Sequence, residues 1–311
     1  MATSVEKHLN VAIRGQSEAL AQISKAVQRA EYGLSKANRP LASMLFLGST
    51  GTGKTETCLS LANYLYGGDA DKSRIARFDM AEFQLQESLQ TLLGKRDDSD
   101  SQGLLGDRID ELHAMGGGIL LFDEIEKAHP KLVTVFLGML DAARISMANG
   151  CEKRLDNFYI ICTSNAGAKE AARLKHSPYP SLRRHLLRAA QQFLSPELYA
   201  RFTEHVVFKI LGYDIQIDIC RALLGKEIQH LQQSTGCLFE IDNMEDVFSL
   251  LVESGYDRER GARPMRDTIE KFIQNASCDY FDSVGGVENA QVRLFIGVTE
   301  DGNSIRCYPD N

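Results

Sequence analysis

The sequence predicts an α/β protein: a parallel five-stranded sheet flanked by helices, followed by a smaller, mainly helical domain with a short sheet. Three observations lead there. Apolar runs at residues 44–47, 119–122, 158–162 and 205–210, with a weaker one at 75–78, alternate with helical stretches, and such alternation buries a parallel sheet between helices on both faces. A glycine-rich segment at 48–55 sits between a strand signal and a helix signal. Around Leu211 and Gly212 the texture changes from this alternation to helical stripes.

Each element has its own signal. Residues 44–47 are uniformly apolar, as a strand covered on both faces must be. After the glycine-rich segment, Cys58, Leu61, Ala62 and Leu65 share one helical face, and Gly67 and Gly68 stop the helix. Residues 75–78 and 119–122 supply two further strands, the second ending in Asp123 and Glu124. The runs at 158–162 and 205–210 complete the sheet. The boundary falls at 211, giving a large nucleotide-binding domain over 1–211 and a small domain over 212–311. In the latter, Ile217, Cys220, Leu224, Ile228 and Leu231 form a helical stripe, 245–253 reads as another helix, and 291–298 and 304–308 read as short strands.

Composition narrows the class. With 311 residues, 43% apolar and 25% charged, the chain has ample core for two domains. Thirty-five basic against 42 acidic side chains leave a net charge of −7, which excludes a global polycation built for nucleic acid. Seven cysteines, at 58, 151, 162, 220, 237, 278 and 307, stand singly without C-x-x-C spacing and read as a reduced set. No charged-then-apolar leader follows Met1 and no run of 18 apolar residues occurs, so a cytoplasmic protein with no membrane segment is expected.

The chemistry lies in two constellations. Gly48, then Ser49, Thr50, Gly51 and Thr52, then Gly53, Lys54 and Thr55 form the Walker A pattern of a nucleoside triphosphate site. Its glycines let the backbone turn tightly and aim N–H groups at phosphate oxygens, and the helix start through Glu56 adds positive potential. Lys54 supplies a point charge for the β and γ phosphates of ATP, and the Thr55 hydroxyl is a ligand for Mg2+. In the second constellation, Asp123 and Glu124 end an apolar strand, where parallel sheets bind ligands. Read alone they are an acidic loop after a strand; downstream of a Walker A loop they are a Walker B element, Asp123 holding the magnesium and Glu124 orienting and deprotonating the attacking water.

With these residues in view, the chain resembles the AAA+ module of Clp-type proteins over nearly its full length, most of all the second ATPase module of the ClpB disaggregase. Ile13 and Arg14, followed by Gly15 and Gln16, are similar to the segment that lies against adenine in that family. The stretch from Asp123 to His129 repeats the family's Walker B continuation. By resemblance, Asn165 is the sensor 1 residue that places the lytic water, Arg201 the arginine finger and Arg263 the sensor 2 residue. Arginine suits both of the latter posts, because its planar, permanently charged fork matches phosphate oxygens. The resemblance further implies a homo-oligomer, a hexameric ring in which Arg201 serves the neighbouring subunit's ATP.

The departures are as informative. Where the family carries an aromatic pore loop that grips polypeptide, this chain has Asp97, Asp98, Ser99 and Asp100 with no aromatic nearby. Such a loop either selects basic segments of a partner or is solvated and grips nothing; Leu104 and Leu105 offer an apolar alternative. No peptidase-docking tripeptide lies between Asn165 and Arg201, and no first ATPase module precedes the sequence, so a stand-alone module is expected. Lys169, Arg173, Lys175, Arg183, Arg184 and Arg188 form a local basic cluster that suits an acidic partner, nucleic acid or a solvated helix face. Two functions remain open: ATP-driven remodelling or movement of an unidentified partner protein, and an ATP-regulated assembly or nucleic-acid-associated factor that does not thread polypeptide.

Overall fold

A computed structural model describes residues 3–67, 74–95, 98, 101–171, 177–257 and 261–309. Gly68, Asp97, Ser99 and Asp100, and Arg173 and Lys175 of the basic cluster, lie outside the described residues. The chain divides into two compact units, Met1–Ile210 and Leu211–Asn311, so Leu211 belongs to the second.

The first unit is built on five parallel strands: β1 (Ala42–Leu47), β2 (Ile75–Asp79), β3 (Gly118–Asp123), β6 (Phe158–Ser164) and β7 (Glu204–Val207), in the spatial order β2-β3-β6-β1-β7. A hairpin of β4 (Arg144–Ser146) and β5 (Glu152–Arg154) stands outside the sheet. Every residue of β1, β3 and β6 is buried, and their alternate side chains supply two separate apolar layers. Met44, Phe46, Ile119, Leu121, Tyr159 and Ile161 pack with helices Ser4–Ala12, Ser17–Glu31 and Lys54–Tyr66. Leu45, Leu47, Leu120, Phe122, Ile160 and Cys162 pack on the other face with helices Gly103–Ala114, Leu132–Ala142 and Tyr179–Phe193. Uniform apolarity along the strands is thus the sequence trace of a sheet with two covered faces.

Local chemistry sets the element ends. Thr3 caps the first helix by accepting the N–H of Glu6 at 3.1 Å, and Ser195 caps Pro196–Arg201 by accepting that of Leu198 at 3.2 Å. The expected strand over 205–210 stops at Val207. Beyond it, a side chain replaces the ladder: Gln16 Oε1 accepts the Lys209 N–H at 2.8 Å and Gln16 Nε2 donates to the Lys209 carbonyl at 2.9 Å.

In the second unit, helices Tyr213–Thr235, Met244–Gly255 and Arg263–Val284 pack with a three-stranded sheet, in which β9 (Arg293–Val298) lies between parallel β8 (Leu238–Ile241) and antiparallel β10 (Ile305–Pro309). Of the expected stripe, Cys220, Leu224 and Leu231 are buried and Ile217 and Ile228 partly so. Arg263 and Pro264 open the helix Arg263–Val284, whose buried face runs through Met265, Ile269, Ile273 and Ala276.

Phe122 lies 1% exposed at the end of β3, stacked on Phe78 at 5.4 Å and edge-on to Phe136 at 5.0 Å. Phe122→Ala is expected to destabilise the first unit by about 3–5 kcal/mol, read as a lowered denaturation midpoint; an unshifted midpoint would show that this layer repacks freely.

Candidate functional site

The site forms at the carboxyl ends of β1, β3 and β6. Gly48 leaves β1 with φ 154°, and a Cβ there would lie 2.9 Å from the Phe208 carbonyl oxygen, so only glycine lets the loop pass. Gly53, at φ 99°, turns the chain into the helix that Lys54 begins. Between them Ser49 and Thr50 are partly exposed, Gly51 has φ 71°, and the buried Thr52 donates its hydroxyl to the Ser49 carbonyl at 2.8 Å. Thr55 is partly exposed at the helix start and Glu56 exposed in its first turn.

Lys54 is the centre of the site. Its ammonium donates to the carbonyls of Gly48 at 2.7 Å and Ser49 at 2.8 Å, and to Asn165 Oδ1 at 2.8 Å. Burial holds its pKa down at about 8, against the opposing pull of the Glu126, Asp123 and Glu124 carboxylates. Asn165 Nδ2 in turn donates to Glu124 Oε1 at 2.8 Å. One amide therefore joins the Walker A lysine to the Walker B glutamate, and its orientation is fixed by chemistry, since an ammonium only donates and a carboxylate only accepts.

The two Walker B carboxylates are each held by a cation. Asp123 Oδ2 accepts Arg77 Nε at 2.6 Å and its Oδ1 accepts the Thr163 hydroxyl at 2.9 Å. Glu124 pairs with Lys127, whose pKa is raised by that contact. Glu124 itself adopts φ 56°, ψ 52°, a left-handed conformation uncommon outside glycine and asparagine. Its N–H is held by Thr163 Oγ1 at 3.2 Å and its carbonyl by the Lys127 N–H at 2.9 Å, so the strain is locked by a strand end and a turn.

Ile13 and Arg14, expected to lie against adenine, differ in exposure. Ile13 is buried, with its Cγ2 3.6 Å from where a Cβ on Gly53 would lie, whereas exposed Arg14 bonds back to the Asn10 carbonyl at 3.0 Å. Gln16, 1% exposed, donates to the Thr52 carbonyl at 3.0 Å as well as clasping Lys209. Arg201 stands apart from the Lys54 network. Its side chain meets Asp141 at 3.1 Å, an acid shared with Arg39 at 2.8 Å, and its carbonyl accepts the Ser43 hydroxyl at the opposite end of β1 from the loop. Arg263 belongs to the second unit, exposed at the first position of its helix.

Four participants are not among the site residues expected from the sequence: Arg77, Thr163, Lys127 and Glu126, although the last two fall within the stretch from Asp123 to His129. The first two depend on which strands are neighbours, and the others on the turn after Glu124. Among the described residues no group of three His, Cys, Asp or Glu side chains is disposed as a metal cage. The Thr55 hydroxyl and the Asp123 carboxylate are hard oxygen donors of the kind magnesium takes one or two of from a protein, and they would suit that ion. None of the described helices is long and apolar enough to cross a membrane.

A phosphate loop after β1, paired acids at the end of β3 and a polar amide just past the end of the intervening β6 define a P-loop nucleoside triphosphatase. Residues 39–205 match the family described as AAA domain (Cdc48 subfamily), and residues 211–281 match the C-terminal, D2-small domain of ClpB protein. The chain belongs to the AAA family of ATPases, in its Clp branch, as the motifs imply. It is 33% identical over 272 residues to heat shock protein 100 of Trypanosoma brucei brucei, covering 87% of this chain and 31% of that one. It is 34% identical over 269 residues to the ATP-dependent Clp protease ATP-binding subunit ClpE of Streptococcus pneumoniae serotype 4, covering 86% and 35%. A closed-state cryo-EM reconstruction of Hsp104 with ATPγS and FITC casein superposes with TM-score 0.82 at 27% identity, covering 98% of this chain and 51% of that chain. The chain spans about a third of the length of the curated relatives it matches.

Gln16→Ala leaves one buried and two partly buried backbone groups without their partner and is expected to destabilise the first unit by about 1–3 kcal/mol while weakening nucleotide binding. Urea denaturation and a fluorescent-ADP titration check both effects; unchanged midpoint and affinity would show the clasp to be incidental.

Proposed function

We propose that this chain hydrolyses ATP with magnesium in a homo-oligomeric, hexameric ring and uses the energy to remodel or move a partner protein. The observation that carries the reading is the Asn165 amide joining Lys54 to Glu124, since it sets a phosphate-binding charge and a general base at the two ends of one rigid group. Backbone N–H groups of residues 49–56 and Lys54 bind the phosphates, and Ile13 and Arg14 border the base. Thr55 and Asp123 would hold the magnesium, which would supply neutralising charge at the triphosphate. Glu124 takes the proton of a water oriented by Asn165.

Arg201 acts on the neighbour's ATP. Its position away from its own loop and its half-exposed pairing with Asp141 support this, because a surface ion pair contributes only about 0–1 kcal/mol and is readily exchanged for a phosphate. The domain over 212–311 acts as a lid that carries Arg263. Remodelling is supported by relatives named as chaperones and by the Hsp104 structure with casein. The aromatic-free stretch at 97–100 favours a second reading, an ATP-regulated assembly or nucleic-acid-associated factor that does not thread polypeptide.

Turnover per chain is expected to rise with protein concentration as subunits associate; a constant value with a monomer in light scattering at all concentrations would exclude a shared site. Glu124→Gln is expected to cost roughly 10²–10⁴ in turnover with ATP still bound. Mixing Glu124→Gln with Arg201→Ala in equal amounts is expected to restore about a quarter of parental turnover, because in random rings that fraction of interfaces pairs an intact glutamate with an intact arginine. Mixtures as inactive as their components would show that both residues serve one and the same chain.

A further inference from the structure

Glu126 is the acid of the Walker B stretch that nucleotide chemistry leaves without a task. Its Oε1 accepts the backbone N–H of Asn165 at 3.0 Å, while its Oε2 is buried with no hydrogen-bond partner among the described residues. A buried carboxylate oxygen without a donor is costly, so a group of this kind is kept for what its other oxygen holds.

What it holds is the first residue past the end of β6, where the strand ladder no longer fixes the backbone. Asn165 is then held on its backbone and at both ends of its amide: its N–H donates to Glu126, its carbonyl accepts the Ala168 N–H at 3.1 Å, its Oδ1 accepts from Lys54 and its Nδ2 donates to Glu124. Lys54 and Glu124 fix the two ends of the amide, and the Glu126 contact holds the backbone from which it projects. Glu126 reaches the N–H because the chain after Glu124 folds into a tight turn, Ile125–Lys127, which brings the second acid round to the end of the neighbouring strand.

We propose that Glu126 is a positioning residue: through the backbone N–H of Asn165 it sets the amide that bridges Lys54 and Glu124, and so the place where water is activated. The proposal rests on the reading of Asn165 as the group that orients that water.

The test uses the full chain with Mg-ATP turnover, fluorescent-ADP binding and hydrogen exchange over residues 163–168. E126A is expected to slow turnover about 10- to 100-fold with KM and ADP affinity within about threefold of the parent, and to accelerate exchange at Asn165. E126Q, which retains an acceptor oxygen, is expected to recover turnover to within about threefold of the parent, and E126A combined with N165A to be no slower than N165A alone. Parental turnover in E126A beside a slow N165A overturns the proposal, as does E126Q as slow as E126A, or a double variant whose defects multiply. Parental turnover in N165A instead overturns the reading of Asn165, and the role of Glu126 falls with it. Should E126A fail to fold, E126D draws the acceptor back by one methylene and is expected to show the same loss; parental turnover in E126D overturns the proposal.

Discussion

The charge of Lys54 is the constraint around which the first unit is arranged. An ammonium 8% exposed at the end of an apolar sheet persists only if acceptors surround it, and two loop carbonyls and an asparagine oxygen do so. Those acceptors can converge only because glycines let the loop fold back over the lysine, because β6 ends beside β1, and because β3 delivers carboxylates one strand further on. The strand order β2-β3-β6-β1-β7 is therefore an electrostatic arrangement as much as a packing one: it lines up Arg77, Asp123, Asn165 and Lys54 as alternating positive, negative, polar and positive groups across adjacent strand ends.

The same balance explains why so many acids coexist there. Asp123, Glu124 and Glu126 are crowded near one another, and each is engaged by a different donor: a guanidinium from the neighbouring strand, an ammonium from the following turn and a backbone N–H from the strand beyond. No single partner could satisfy all three, and distributing them lets one be released without disturbing the others. Asp123 is the more buried of the two ion-paired acids, while its partner Arg77 is half exposed.

Much of this was legible in the chain. β1, β3 and β6 announce themselves because a strand covered on both faces has no polar side to blur its signal, whereas β2, with Arg77 and Asp79 exposed, gives a weaker one; the Walker segments stand out because phosphate and metal chemistry restricts residue type at fixed spacing. The resemblance to the Clp branch supplied Asn165. What stayed hidden depends on contacts between distant parts. Arg77 is an ordinary strand arginine until β2 is known to lie beside β3. Thr163 and Glu126 sit two residues from Asn165 and Glu124 and gain meaning only from the turn and the strand end that join them. The hairpin β4–β5 has three-residue arms with charged side chains and too little periodicity to read. The end of β7 was misread because apolarity continues to Ile210 while a side chain ends the ladder.

Gln16 carries a consequence for how the protein is made. Its side chain is bonded to Thr52, 36 positions downstream, and to Lys209, 193 positions downstream. At synthesis rates of about 5–20 residues per second, roughly 10 to 40 s separate the appearance of the two ends of this clasp. For about the last four-fifths of that interval, from Thr55 onward, the nascent chain contains the complete phosphate loop but lacks the strand and the residue that brace it, so the nucleotide pocket is finished only when the large unit closes on its earlier part.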